Sequence, residues 1–167
     1  MSTKHAGGAR GPATPATVAL TTAGIPFTAH TYEHHDTATN FGEEAAAELG
    51  LSEERVFKTL VVDADGTLVV GVVPVSGRLD LKALAAAVGA KKASLADPAQ
   101  VERRTGYVVG GISPLGQKTA ATTVVDASAA SFASVFVSGG RRGFDIEIAP
   151  DDLVRATGGT YGAIRRD

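Results

Sequence analysis

The chain is organised around the segment Val109-Gly110-Gly111-Ile112-Ser113-Pro114-Leu115-Gly116-Gln117-Lys118. We predict a strand over residues 107–112 that ends in this loop. Adjacent glycines permit positive φ and a close approach of a ligand or a second backbone, and Pro114 stiffens the loop. The segment is either a pocket-lining loop that presents backbone amides or a tight turn between two strands. It is neither a G-x-G-x-x-G motif nor a P-loop, so no nucleotide cofactor is inferred.

Length, charge and cysteine content narrow the classes of protein. A chain of 167 residues suits one domain, and its net charge of −2 restricts any nucleic-acid contact to a local basic patch. The absence of cysteine excludes disulfides, zinc–thiolate sites and a protein thiol nucleophile. No apolar run approaches the ~20 residues of a membrane span, and the N-terminus has no apolar leader. We therefore expect a cytoplasmic protein without a membrane partner.

The order of elements predicts an α+β fold. Residues 1–13 are small, polar and glycine-rich, and we expect a disordered tail before a single domain at 14–167. Capping and Pro/Gly signals predict helices at 15–23, 43–49, 80–88, 98–104 and 150–156. Apolar and β-branched runs predict strands at 25–32, 56–62, 67–73, 107–112, 122–125, 134–137 and 144–148, with a hairpin turn at Asp65-Gly66. The strands do not alternate strictly with the helices, which disfavours a parallel α/β sheet.

Basic residues at three places in the sequence are candidates for contact with a ligand. Lys58 interrupts the apolar strand at 56–62, where it either faces solvent or points into a cavity. Lys118 and the Arg141-Arg142 pair lie at the tips of two glycine-rich loops. Arginine pairs well with phosphate, so these residues either hold phosphates or are solvated turn tips.

The histidines do not form a convincing catalytic or metal set. His30, His34 and His35 lie close to Glu33 and Asp36, but all come from one strand end, whereas a metal site needs three or four converging ligands. We predict no metal. All four histidines precede residue 36 and no G-x-S-x-G motif occurs, so a serine triad is weakly supported.

What remains is a set of groups suited to holding a substrate. It comprises backbone amides, the hydroxyls of Thr59, Ser113 and Ser138, a lysine, and the carboxyl of Asp145. Such groups position a substrate and stabilise an oxyanion, but they are poorly equipped to attack it.

Several motifs together resemble those of the YbaK family. They are His30-Thr31-Tyr32-Glu33-His34, Asn40-Phe41-Gly42, Val56-Phe57-Lys58-Thr59-Leu60, Thr105-Gly106-Tyr107, the segment from Gly110 to Lys118, and Val137-Ser138-Gly139-Gly140. The resemblance runs in the same order from about Pro15 to the C-terminus. The family's Cys-tRNA(Pro) deacylases are similar to the editing domain inserted in bacterial prolyl-tRNA synthetases. This chain departs from the pattern in a shorter turn at Asp63–Gly66 and in Thr119, where a second basic residue is common.

The resemblance implies a fold and a set of site residues. It implies an α+β fold with a mixed, largely antiparallel, barrel-like sheet and surrounding helices. It gives catalytic roles to Lys58, Gly110, Ser138 and Asp145. It implies substrate contacts for a larger set of loop and strand residues, namely Tyr32, Phe41, Thr59, Gly111, Ile112, Ser113 and Lys118.

The implied activity is editing in trans. The protein would remove cysteine from mischarged Cys-tRNA(Pro), without cofactor or metal, and the substrate's own thiol would attack the ester. Prolyl-tRNA synthetase is the expected partner besides the aminoacyl-tRNA. Two alternatives stay open: editing of Ala-tRNA(Pro) or another aminoacyl-tRNA, and a non-catalytic module that binds a nucleotide or aminoacyl-adenosine.

Overall fold

The computed structural model describes residues 11–35 and 40–167. Its α-helices are Pro15–Ala23 (α1), Phe41–Leu49 (α2), Leu81–Ala87 (α3), Pro98–Thr105 (α4) and Pro150–Thr157 (α5). Its strands are Thr28–Thr31 (β1), Phe57–Ala64 (β2), Thr67–Pro74 (β3), Arg78–Leu79 (β4), Ala93–Leu95 (β5), Thr122–Asp126 (β6), Val135–Arg141 (β7), Phe144–Ile148 (β8), Thr160–Gly162 (β9) and Arg165–Arg166 (β10). The predicted α+β class is confirmed.

Local capping explains where the helices begin. In α1, the Thr14 side chain accepts from the Thr17 N–H and the Thr17 hydroxyl accepts from the Thr14 N–H, so two otherwise unpaired donors are satisfied. In α2, the Asn40 side chain accepts from the Glu43 N–H at 3.0 Å. The predicted start at Glu43 is two residues too late, because the capping residue of this helix is Asn40. That cap sets Phe41 at the first helical position.

The strands form three sheets. A five-stranded sheet has the order β5-β2-β3-β6-β9, a three-stranded sheet has the order β1-β8-β7, and β4 pairs with β10. The predicted hairpin is confirmed, since β2 and β3 pair antiparallel around Asp65-Gly66. The pairs β3–β6 and β6–β9 are parallel, and the described sheets do not close into a barrel.

The two larger sheets meet at the start of β2. Val56 bridges to Phe136 of β7, and the Phe136 N–H donates to the Arg55 carbonyl at 2.9 Å. One face of the three-stranded sheet packs into the main core with Phe144 and Ile146. Phe136, on the opposite face, packs instead with residues of α2. A space therefore opens between α2, β2 and the β7–β8 face.

The strand predicted at 107–112 is wrong. Tyr107 is buried and its hydroxyl donates to the Leu115 carbonyl at 2.6 Å, whereas Val108 and Val109 are exposed. The Gly111 N–H donates to the Val108 carbonyl at 2.9 Å, so the backbone turns instead of extending. In this apolar run, Tyr107 packs in the core, whereas Val108 and Val109 lie in a surface loop. The run therefore has the apolar composition of a strand although it pairs with no other strand of the described chain.

Most of the predicted tail lies outside the described residues. Residues 11–13 of it are described, and the Pro12 carbonyl accepts from the Thr17 hydroxyl at 3.1 Å. No helix within residues 11–35 and 40–167 is long and apolar enough to span a bilayer.

Candidate active site

A cavity of about 280 Å³ occupies the space between α2, β2 and the β7–β8 face. Its lining combines apolar walls with a few polar groups, as small-molecule sites usually do. The lining residues are Tyr32, Asn40, Phe41, Gly42, Ala45, Val56, Phe57, Lys58, Thr59, Leu60, Val109, Gly110, Ile112, Ser138 and Asp145. The cavity is near the lower end of the ~300–1,000 Å³ typical of ligand pockets, which suits an aminoacyl ester better than a whole nucleotide.

Strand β2 contributes Lys58 and Thr59. Lys58 lies opposite Val73 of β3 and is partly buried. Burial lowers the pKa of its ammonium, the carboxylate of Glu43 raises it, and the charge of Arg78 lowers it. The Thr59 hydroxyl is buried and has no hydrogen-bond partner within the described chain. Lys58 is among the residues that line the cavity, so of its two predicted positions the structure shows the cavity and not the open surface.

Ser138 and Asp145 lie side by side across the β7–β8 pair. They are Cα partners in the antiparallel register, and directly opposite residues project from the same face. Asp145 is only 4% exposed, and burial raises the pKa of its carboxyl from 3.8 to about 8. At neutral pH the carboxyl is therefore mostly protonated and can donate a hydrogen bond. Tyr32 joins this wall because its N–H donates to the Gly143 carbonyl at 2.9 Å.

The glycine-rich loop presents Gly110 to the cavity. Gly110 has φ of +90°, a conformation that a side chain disfavours. A Cβ at this position would lie 2.7 Å from Arg142 Nε and 3.0 Å from the Phe41 ring. The amides on either side are occupied, since Val109 N–H donates to Glu102 and Gly111 N–H to Val108. The Gly110 N–H has no acceptor among the described residues, so it is available to an anion.

Arg142 contacts both the Gly110 loop and helix α2 at the edge of the cavity. Its Nε and one terminal nitrogen donate to the Val109 carbonyl at 3.0 and 2.6 Å, and its guanidinium lies 5.0 Å from the Phe41 ring centre. These contacts hold the Gly110 loop against the start of α2, and a phosphate contact of Arg142 stays a prediction. No sequence signal joins positions 33 residues apart in this way.

Three predicted substrate-binding residues do not line the cavity. Gly111 is buried against the backbone of Arg141, where a Cβ would lie 2.7 Å from the Arg141 Cα. Ser113 is fully buried, and its hydroxyl accepts from the Leu115 N–H at 3.2 Å. Lys118 is exposed and its N–H donates to the Thr105 carbonyl at 2.9 Å. The first two shape the loop, whereas a tRNA contact of Lys118 stays a prediction.

The sequence matches the family described as "Aminoacyl-tRNA editing domain" over residues 34–156, which is most of the chain. The chain belongs to the aminoacyl-tRNA editing domain family. It is an enzyme that deacylates aminoacyl-tRNA, and the described cavity is the place in the fold where the polar groups converge.

Two proteins from other organisms are similar to this chain in sequence. The chain is 40% identical over 123 residues, covering 73% of it and 75% of the relative, to EbsC of Enterococcus faecalis, named as a candidate Cys-tRNA(Pro)/Cys-tRNA(Cys) deacylase. It is 31% identical to the uncharacterised protein YwhH of Bacillus subtilis, with 66% of this chain and 71% of the relative covered.

Solved structures share the fold of this editing domain. A candidate trans-editing enzyme for prolyl-tRNA synthetase superposes with a TM-score of 0.82 at 24% identity, covering 94% of this chain and all of that one. The hypothetical protein APE2540 superposes with a TM-score of 0.81 at 30% identity, covering 92% of this chain and all of that one.

The histidines within residues 11–35 and 40–167 contact glutamate side chains. His30 Nε2 contacts Glu147 at 2.9 Å and His34 Nδ1 contacts Glu44 at 2.8 Å. Among the described residues, Glu33, His35 and Glu48 bring potential ligand atoms within 4.8 Å of one another, but all three are exposed. Asp36, considered with them in the sequence, lies outside the described residues. No described histidine lines the cavity, so imidazole general-base chemistry has no support there.

Proposed function

We propose that this editing domain removes cysteine from mischarged Cys-tRNA(Pro), with the cysteine thiol of the substrate as the nucleophile. One observation carries the proposal. The cavity gathers a lysine, a buried carboxyl and an unpaired loop amide, yet its lining contains neither histidine nor cysteine. Such a site can hold and polarise an ester, while the attacking group comes from elsewhere. The name of the relative EbsC supports cysteine as the amino acid.

The proposed reaction needs no external catalyst for the first step. The thiol sulfur attacks the ester carbonyl carbon, an S–C bond forms, and the C–O bond to the terminal ribose breaks. The ribose oxygen takes up the thiol proton, directly or through water, and a four-membered thiolactone leaves. Water then opens the thiolactone to free cysteine. Attack within one molecule has a high effective molarity, so the enzyme mainly has to hold the reactive conformation.

Each polar group has a proposed task in this reaction. Lys58 attracts the terminal phosphate or the ester carbonyl, and the Gly110 N–H stabilises the oxyanion. Asp145, neutral at pH 7, donates a hydrogen bond and places no full negative charge beside the developing thiolate. Tyr32 and Phe41 shape the apolar wall. Ser138 is held beside Asp145, and its hydroxyl accepts from the Gly140 N–H at 3.2 Å.

Amino-acid specificity is tested by one panel of substrates. Purified protein is incubated with Cys-, Ala- and Pro-tRNA(Pro), and release of the amino acid is followed against a reaction without protein. We expect rapid loss of cysteine, slow loss of alanine and no loss of proline. Fastest turnover of Ala-tRNA(Pro) would refute cysteine specificity, and binding without turnover of any ester would refute the enzymatic role.

Selection of tRNA(Pro) is proposed to involve prolyl-tRNA synthetase. The structural neighbour described as a candidate trans-editing enzyme for that synthetase supports this partner. Deacylation of Cys-tRNA(Pro) and Cys-tRNA(Cys) is compared with and without the synthetase. We expect the synthetase to raise the preference for tRNA(Pro), and an unchanged ratio would contradict the partnership.

A further inference from the structure

The β4–β10 ribbon carries two arginines directly opposite each other. Arg78 of β4 is the Cα partner of Arg166 of β10, and Leu79 is the partner of Arg165. Residues in such register have Cβ atoms about 4.5–5.5 Å apart on the same face, and like charges placed there repel. Leu79 is buried in the core, whereas Arg78 and Arg166 are exposed. The ribbon thus keeps an unfavourable pair of positive charges in solvent.

Arg78 follows within three residues of Val75, which pairs with Val56 of the cavity lining. The Val75 N–H donates to the Val56 carbonyl at 2.8 Å, which continues the pairing of β3 with the chain that forms the cavity wall. The Gly77 N–H then donates to the Pro74 carbonyl at 3.0 Å, and this tight turn delivers Arg78. The influence of the Arg78 charge on the pKa of Lys58 is consistent with this short separation.

Arg165, which precedes Arg166 in β10, has acidic partners, whereas Arg78 and Arg166 have none among the described residues. Arg165 contacts Glu54 at 3.1 Å and Asp167 at 3.6 Å. Within residues 11–35 and 40–167, no acidic side chain forms an ion pair with Arg78 or Arg166. Two exposed arginines in cross-strand register, without an acidic partner among the described residues, form a site for an anion with several acceptor oxygens, and phosphate is the best match.

We propose that Arg78 and Arg166 bind the phosphodiester backbone beside the terminal nucleoside of the acylated tRNA. The inference rests on the proposed function, because an ester held near Lys58 leaves its nucleoside at the cavity rim and the adjoining phosphate beyond it. Lys58 then acts on the aminoacyl end and the arginine pair on the backbone. An acidic protein segment is the less favoured ligand, because its binding would not depend on a position close to the cavity.

The test compares two esters that differ in phosphate. One is Cys-tRNA(Pro) and the other is cysteinyl-adenosine, which has the ester but no phosphodiester. The variant is Arg78→Gln with Arg166→Gln, and its control is Lys82→Gln with Lys91→Gln, which removes two exposed charges from a groove at the far end of β2. We expect the arginine variant to raise KM for Cys-tRNA(Pro) on the order of tenfold with kcat retained, and to cleave cysteinyl-adenosine like the wild type.

Salt dependence supplies a second readout. Binding of uncharged tRNA by the arginine variant should show a salt slope lower by about 1.4, because each single-strand phosphate contributes about 0.7. The lysine control should keep the KM of the wild type. Melting temperature should stay level or rise, since the substitutions remove a repulsive pair.

Several results would overturn the proposal. An unchanged KM and salt slope would show that the pair does not touch RNA. An equal loss on both esters would show that it acts through Lys58 or the fold. Normal tRNA binding with loss of synthetase binding would assign the pair to a protein contact. Failure of the wild type to cleave either ester would instead reject the proposed function, while the salt slope would still report on the arginine pair.

Discussion

Replacing Asp145 by Asn is expected to stabilise the protein by an amount that grows with pH. Asp145 is 4% exposed, and burial raises the pKa of its carboxyl from 3.8 to about 8. A folded-state pKa above the unfolded value means that the folded state holds the proton more tightly. The corresponding stability is fully present below pH ~4 and is lost progressively as pH rises to about 8.

The size of this effect follows from the pKa difference. Each pKa unit corresponds to about 1.4 kcal/mol, so a separation of about four units corresponds to a loss on the order of 5 kcal/mol for the wild type. Asn cannot ionise and avoids that loss. The variant's advantage should therefore be near zero at pH 4 and largest at pH 8, with deacylation reduced but not abolished.

Urea unfolding followed by circular dichroism at pH 4, 6 and 8 measures the free energy of unfolding directly. Asp126→Asn is the matched control, because Asp126 is equally buried at 4% but accepts hydrogen bonds from the N–H groups of Ser128, Ile164 and Arg165. Losing that charged acceptor should cost about 1–3 kcal/mol. An Asp145→Asn effect that is equal at pH 4 and pH 8, or destabilising at pH 8, would refute the idea of a desolvated carboxyl.

Four further predictions concern the cavity. Lys58→Ala should lower the deacylation rate at least tenfold with an unchanged melting temperature, because a charge-assisted contact contributes about 1.5–3 kcal/mol; activity retained in a folded variant would make Lys58 a bystander. Gly110→Ala should lower both activity and melting temperature, since its φ of +90° costs a side chain about 1–3 kcal/mol; a neutral result would mean that the loop relaxes freely. Arg142→Gln should reduce deacylation of cysteinyl-adenosine as well as of Cys-tRNA(Pro), because Arg142 positions the Gly110 loop; a defect confined to the tRNA substrate would point to a phosphate contact instead. Cys-tRNA(Pro) with a methylated sulfur should bind but resist cleavage, and rapid hydrolysis in that assay would assign the attack to water or to a protein group.

Local sequence was sufficient for most of the regular elements. The Thr14 cap, the Asp65-Gly66 turn and the strand at 144–148 are each predicted from residues a few positions apart, and each prediction is confirmed. That strand contains Asp145, and the resemblance to known editing proteins singled out this residue. Capping, turn conformation and the two-residue period of a strand are properties of short segments, so they can be read without the fold.

Tertiary structure decided how these segments meet. Pairing between distant strands sets Ser138 beside Asp145 and Arg78 beside Arg166, and it makes β3 and β6 parallel. Residues 107–112 form a loop and not a strand because the chain turns back where Arg142 binds the Val109 carbonyl. Such contacts join residues tens of positions apart and leave no periodic trace in the sequence. Burial of Asp145, and with it the raised pKa of its carboxyl, exists only once both sheets and α2 have enclosed the cavity.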